Sequence, residues 1–420
     1  MKSRTIVAVV CAALSIGSAQ AQETPPDTAE LWRLLQQQQA EIKALQKELA
    51  QTRSRVAETQ SGVAENRERV AATGETLDQV VDQGSGAESA THLGGYGEMH
   101  YNGGDKDEID FHRFVLFAGH QFNDRTRFYS ELEVEHAFLE TTEVAFEDGG
   151  LEVERTPGEL ELEQAYVEYD LNATLTARGG VFLLPVGIIN ETHEPPTFYG
   201  VERNPVEKNI IPATWWEGGA MLSGRYSNGF SFDLAAHSGL KTDSEDRFLV
   251  RKGRQKVAEA SAKDPAFTSR LRYAGIPGLE LAASFQYQTD ISQGADPAGD
   301  SATLFEGHAV YNTGAFGLRA LYARWDLDGA GPKAFGTDEQ VGWYVEPSYR
   351  FSDQIGVFAR FNQWDNVRGD RLDSEYQQFD LGLNYWLHDD VVLKVDYQFQ
   401  NAPQGKTDDD RINLGIGYRF

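Results

Sequence analysis

The segment from Arg411 to Phe420 constrains this chain more than any other stretch. Ile412, Leu414, Ile416, Tyr418 and Phe420 share one parity, and Arg411, Asn413, Gly415, Gly417 and Arg419 share the other. Side chains alternate across a strand, so this segment reads as a strand with one greasy face and one polar or small face. A soluble protein rarely closes on such a strand. A membrane-spanning barrel strand needs it, because one face meets lipid and the other meets water. The terminal aromatic, with no tail after it, fits that role.

The other end agrees. Lys2 and Arg4 precede an apolar run from Ile6 to Ile16, and Ala19, Gln20 and Ala21 form a small-x-small cleavage site. Residues 1–21 therefore read as a secretory signal peptide. Cys11, the only cysteine, lies in that run. The mature chain is expected to have no disulfide and no cysteine metal site. No later segment reaches the roughly 18 consecutive apolar residues of a membrane helix.

The chain carries 65 acidic and 38 basic residues, a formal charge of -27. That balance excludes nucleic acid as a partner, since binding it requires basic surface. Acidic external loops instead suit divalent cations that bridge lipopolysaccharide.

Residues 27–81 read as a periplasmic coiled coil. Leu35, Ile42, Leu49, Val56, Val63, Val70 and Leu77 recur every seven residues, and Asp27 is a suitable N-cap. A helix of this length spans roughly 75 Å at 1.5 Å per residue. A parallel homotrimer is the preferred association. Residues 82–92, with Gly84, Ser85, Gly86 and Ser89, read as a flexible linker.

From residue 93 to 420 one pattern repeats. Alternating stretches of about ten residues are joined by connections that are short, then long. The short ones carry turn formers, as in Asn123-Asp124, Asn172-Ala173 and Ser227-Asn228-Gly229. Sixteen strands result, an all-β transmembrane barrel with antiparallel strands. Parity sends Phe230, Leu234, Leu281, Phe285, Phe379, Leu381, Leu393 and Phe399 to the lipid. The opposite parity sends basic and acidic residues to the lumen in matched numbers.

The connection 185–216 is different. It is long, carries five prolines and is rich in apolar and aromatic residues. Such a segment needs burial, and the barrel interior is the available place. A loop folded inward would set the constriction. Its titratable candidates are Glu191, His193, Glu194, Glu202, Arg203, Glu207 and Lys208.

Three stretches carry a family resemblance: Phe111-His112-Arg113-Phe114, Gln164 to Tyr169, and Gly180 to Gly187. Together with the barrel pattern over 93–420, they resemble the phosphate-selective porin O and P family. The resemblance implies trimeric, sixteen-stranded pores of the Gram-negative outer membrane with an inward third loop. It also implies lumen arginines that guide anions, and the positions that match that role are Arg178, Arg270, Arg272 and Arg360.

Chemistry of other kinds has little footing in the sequence. His193-Glu194 has no serine or cysteine nucleophile pattern beside it, and the nine histidines show no HExxH-like spacing. The expectation is a chain with no catalytic site, no metal and no cofactor. Its expected function is passive diffusion of small hydrophilic solutes or ions, with anions such as phosphate as candidates. The alternative is a structural envelope protein, whose coiled coil spaces the outer membrane from another layer while the barrel anchors it.

Overall fold

The computed structural model describes Lys43 and residues 90–104, 107–137, 142–147, 150–155, 158–370 and 374–420. Apart from Lys43, the expected signal peptide and coiled coil lie outside the described residues, as does the linker before residue 90.

The strands run β1 (Thr91–Gly103), β2 (Glu108–Asn123), β3 (Thr126–Glu135), β4 (Thr142–Glu147), β5 (Gly150–Arg155), β6 (Leu160–Asp170), β7 (Leu175–Leu183), β8 (Trp216–Arg225) and β9 (Phe230–His237). They continue with β10 (Ala266–Ile276), β11 (Leu279–Gln288), β12 (Ala302–Thr313), β13 (Phe316–Leu327), β14 (Glu339–Arg350), β15 (Ile355–Asp365), β16 (Tyr376–His388), β17 (Val391–Asn401) and β18 (Arg411–Arg419). Sixteen of them close into one antiparallel barrel in sequence order. β3 pairs directly with β6, because β4 and β5 form a separate hairpin between them. The alternating pattern read from sequence did not include that hairpin. β1 begins at Thr91, so the last two residues assigned to the linker belong to the barrel.

Closure joins β1 to β18, with Tyr96 opposite Arg419. Beyond that pair, Gly95 and Phe420 exchange two backbone hydrogen bonds, each 2.9 Å. The closing partner of Phe420 is therefore Gly95. Every barrel strand now has two neighbours, which removes the unpaired edge that lipid would not tolerate.

Short turns are set by side chains that mimic a backbone turn. Asn172 Oδ1 accepts from Thr174 N at 2.9 Å and Leu175 N at 3.0 Å, and Asn228 Oδ1 accepts from Phe230 N at 3.1 Å.

The parity reading separates the faces. Leu234, Leu271, Leu281, Phe285, Phe305, Phe379, Leu381 and Phe399 are exposed on the outside. Their neighbours Asp233, Arg270, Ser284, Glu306, Gln378, Asp380 and Gln398 are buried inside. A contiguous apolar exterior of this extent is stable only against lipid. Among the described residues no helix is long and apolar enough to cross a membrane; the barrel crosses with strands.

The hydrophobic core sits inside the barrel. Phe182, Leu184, Val186, Val206, Ile210, Ile211 and Trp215 pack with inward residues Trp325, Tyr344 and Trp364. The connection between β7 and β8 supplies seven of the buried residues of this core, so the segment 184–215 folds into the interior.

Candidate functional site

The inward connection starts and ends at a single staple. Asn190 Nδ2 donates to the carbonyls of Leu184 (2.8 Å) and Trp215 (2.9 Å), and its Oδ1 accepts from Trp215 N at 2.6 Å. Asn190 thus ties the two ends of the connection where it leaves the wall. Within it, a short helix spans Pro205–Asn209. Pro205 opens that helix without losing a needed donor, and Asn204 caps it by accepting from Glu207 N at 2.9 Å.

Glu207 is the internal anchor. It is fully buried. One oxygen accepts from Ile188 N (2.9 Å) and Ile189 N (2.7 Å), and the other accepts from the Tyr344 hydroxyl at 2.8 Å. Burial pushes its carboxyl above the ordinary range, and these hydrogen bonds oppose that only in part. Gly187 bends around it at φ +80°, where a Cβ would lie 2.6 Å from Glu207 Oε2.

The other expected constriction residues are spread along the connection and do not form one ring. Glu191 pairs with Arg270 on β10. His193 is buried against Glu131 of β3 and Glu163 of β6. Glu194 meets Arg419 of β18 at 3.2 Å. Glu202 accepts from Asn102 Nδ2 at 3.1 Å and faces His100 at 3.2 Å. Burial alone would raise the Glu202 carboxyl, but His100 outweighs it and holds the group well below its ordinary value. Arg203 donates to Thr214 Oγ1 at 2.6 Å, and Lys208 is exposed.

Backbone contacts hold the middle of the connection to the far wall. Val201 N donates to Asp396 at 2.6 Å, Lys394 Nζ to Gly200 O at 2.8 Å, and Arg319 Nη2 to Thr197 O at 2.8 Å. Gly417 and Gly415 leave the space: Cβ atoms there would lie 2.2 Å from Pro195 and 3.0 Å from Val201.

The four arginines expected to guide anions are all neutralised. Register places Arg178 opposite Glu168, Arg270 opposite Asp233, and Arg360 opposite Asp380. The resulting ion pairs are 2.8, 2.8 and 3.0 Å long. Arg272 reaches Glu280 at 3.5 Å. Cross-strand pairing of opposite charges stabilises the sheet and leaves no unbalanced basic run.

The unbalanced charge lies elsewhere. Arg251 Nη1 donates to Ala213 O at 2.8 Å, and Arg254 Nη1 donates to Thr214 O at 2.6 Å. With Arg203, three guanidiniums converge on the neighbouring residues Ala213 and Thr214. Among the described residues none of the three, and not Lys208, has a carboxylate within ion-pair distance; Arg203 Nε and Nη2 and Arg254 Nε are buried without partners. Burial, and then the neighbouring Arg254, push the Arg251 pKa down, as expected for a poorly compensated cation. Sequence reasoning missed Arg251 and Arg254. The available signal was basic density: Lys241, Arg247, Arg251, Lys252, Arg254, Lys256 and Lys263 share one connection of an otherwise acidic chain.

Comparison with known proteins places this geometry. The family model described as Gram-negative porin matches residues 221–405. An uncharacterized protein of Aquifex aeolicus (strain VF5) is 31% identical over 374 residues, covering 78% of this chain and 79% of the relative. Among solved structures, the anion-selective porin from Comamonas acidovorans is similar at 13% identity and a TM-score of 0.54, covering 79% of this chain and 100% of that one. The Salmonella typhi OmpF complex with daunomycin is similar at 16% identity and a TM-score of 0.53, covering 79% and 97%. At these identities the structural likeness speaks for the fold.

Proposed function

This chain belongs to the Gram-negative porin family of the outer membrane, and from that premise we propose that it is a passive diffusion channel for small hydrophilic solutes with a preference for anions. One observation carries the preference. Arg203, Arg251 and Arg254 gather at Ala213 and Thr214 of the inward connection, with no ion-paired carboxylate among the described residues, whereas Arg178, Arg270, Arg272 and Arg360 of the wall are matched by acids.

Charges in outer loops are screened beyond about 10 Å at 0.1 M salt. The charges beside the narrowing segment therefore weigh more on selectivity than the net acidity of the chain. A ring or cluster of one sign at a constriction is the usual means by which a pore selects ions. Guanidiniums suit carboxylate and phosphate because they offer paired donors in a plane. Phosphate is the anion to which the sequence resemblance points. Assembly as a homotrimer belongs to the same proposal and is read by native mass measurement in detergent.

The test is the reversal potential of single reconstituted channels in a potassium chloride gradient. The expected result is anion preference in the natural chain, reduced several-fold in an Arg251→Ala, Arg254→Ala double variant. Cation preference in the natural chain would overturn the reading. Block of chloride current by added phosphate tests the narrower substrate.

A further inference from the structure

We propose that His193, Glu131 and Glu163 form a buried site for a transition-metal dication of the zinc type, which fastens the inward connection to strands β3 and β6. The proposal does not depend on which solute passes the channel.

The three side chains come from three separate elements and are all buried, at 4%, 2% and 2% exposure. One ligand atom from each lies within 4.8 Å of the others. His193 Nε2 is 3.4 Å from Glu131 Oε1 and 3.5 Å from Glu163 Oε2. Metal–ligand bonds of about 2.0–2.1 Å in a tetrahedral arrangement place neighbouring ligand atoms roughly 3.3–3.4 Å apart. The two distances from His193 match that arrangement.

The imidazole is oriented as a ligand. Its Nδ1 lies 3.1 Å from Asn190 O, so Nδ1 carries the hydrogen and Nε2 offers its lone pair to the two carboxylates. Asn190 is itself fixed by the staple at the neck. Glu131 is held in turn by Gln164, whose Nε2 donates to Glu131 Oε2 at 2.5 Å. These are the outer contacts that a metal-binding histidine and carboxylate require.

A protonated His193 explains the site less well. One N–H can point at only one oxygen, and both distances exceed the ordinary hydrogen-bond range. In fact His193 Nε2 and Glu163 Oε2 are both buried without a hydrogen-bond partner. The charge count also favours a dication. Glu98 is matched by Arg113 at 2.6 Å and by His100 at 3.2 Å, which leaves buried Glu131, Glu133 and Glu163 with only a 3.7 Å cationic contact from Arg113 to Glu133 among the described residues, besides His193 itself. Glu133 Oε2 is unpartnered as well and supplies a further oxygen close by. A buried nitrogen with two carboxylates suits zinc-type ions better than calcium or magnesium, which take oxygen ligands. By contrast, the Asp110, His112 and His136 group needs no ion, because both imidazoles already contact Asp110, at 3.1 and 2.9 Å.

The experiment uses the full chain, purified in detergent and stripped with a chelator. Zinc is then titrated in, with bound metal counted by elemental analysis and cobalt used as a spectroscopic substitute. The expected result is one ion per chain, a rise in melting temperature on zinc addition, and quieter single-channel current. Glu163→Gln should weaken zinc binding by at least about tenfold, and His193→Ala should abolish it. Gel mobility with and without heating reports whether each variant is folded. If His193→Ala fails to fold, the Glu163→Gln isotherm and the natural chain's stoichiometry decide. A folded natural chain without stoichiometric zinc, or equal uptake by the natural and variant chains, overturns the proposal.

Discussion

Glu207 accepts the hydroxyl hydrogen of Tyr344 at 2.8 Å, which links the connection leaving β7 to β14, a strand nearly opposite in the ring. The same carboxylate takes the amides of Ile188 and Ile189. Glu207→Ala strands four donors, Asn204 Nδ2 at 3.2 Å being the fourth, and a buried donor costs about 1–3 kcal/mol when left unpaired. The expected loss is roughly 3–5 kcal/mol. It should appear as a lower melting temperature in detergent and noisier single-channel current. Unchanged melting would mean that the apolar contacts alone hold the connection.

Acidity gives a separate handle on the same group. An unfolded glutamate ionises near 4.5, while burial keeps Glu207 protonated to higher pH in the folded chain. The folded state therefore binds more protons in that window, and stability falls as pH rises through it. Glu207→Gln keeps an acceptor oxygen for the two amides and removes the titration. The natural chain should lose melting temperature from pH 5 toward neutrality more steeply than Glu207→Gln. Parallel slopes would assign the pH response to other groups.

Arg270 contacts Asp233 at 2.8 Å and also pairs with Glu191. Removing it leaves Asp233 buried and uncompensated, which costs about 3–5 kcal/mol. It also frees Glu191, which is one-third exposed. Arg270→Ala should therefore melt lower and shift the reversal potential toward cations. Adding Asp233→Asn should recover stability without recovering selectivity, since Glu191 stays free.

The two glycines beneath the connection should respond unequally. A Cβ at Gly417 would overlap Pro195 at 2.2 Å, whereas one at Gly415 would meet Val201 at 3.0 Å. Overpacking of this kind costs roughly 1–3 kcal/mol. Gly417→Ala should change single-channel conductance and lower melting temperature, and Gly415→Ala should do so less. The reverse order would place the connection elsewhere.

The barrel was legible because a strand repeats every two residues. Arg411 to Phe420 shows its two faces without any partner, and short turns announce themselves through Asn172 and Asn228. The β4–β5 hairpin was passed over because its alternation, Val144 and Phe146 and then Leu151 and Val153, runs only about six residues per strand and is crowded with acids such as Glu143, Glu147, Glu152 and Glu154. Its register sets Val144 opposite Val153 and Phe146 opposite Leu151.

The site was legible only as a list. Glu191 and His193 stood out as polar groups in an apolar connection, but their partners come from strands far away in the chain. Arg270 was matched to an anion-guiding role through the family resemblance, and its cross-strand neighbour, Asp233, depends on a register that periodicity does not reveal. His193 offered no metal spacing in sequence, since Glu131 and Glu163 reach it from β3 and β6. Arg251 and Arg254 were passed over because a long connection usually says little about where its side chains go.

The bonds between Gly95 and Phe420 make completion of this wall an all-or-none event. Until the final strand arrives, β1 has one side bare, and each bare amide or carbonyl in hydrocarbon costs several kcal/mol. A shortened chain would not be a leakier version of the same channel. It would be an open ribbon with two adhesive rims, fit to pair with a second copy or with whatever factor escorts it, and unfit to rest in lipid alone.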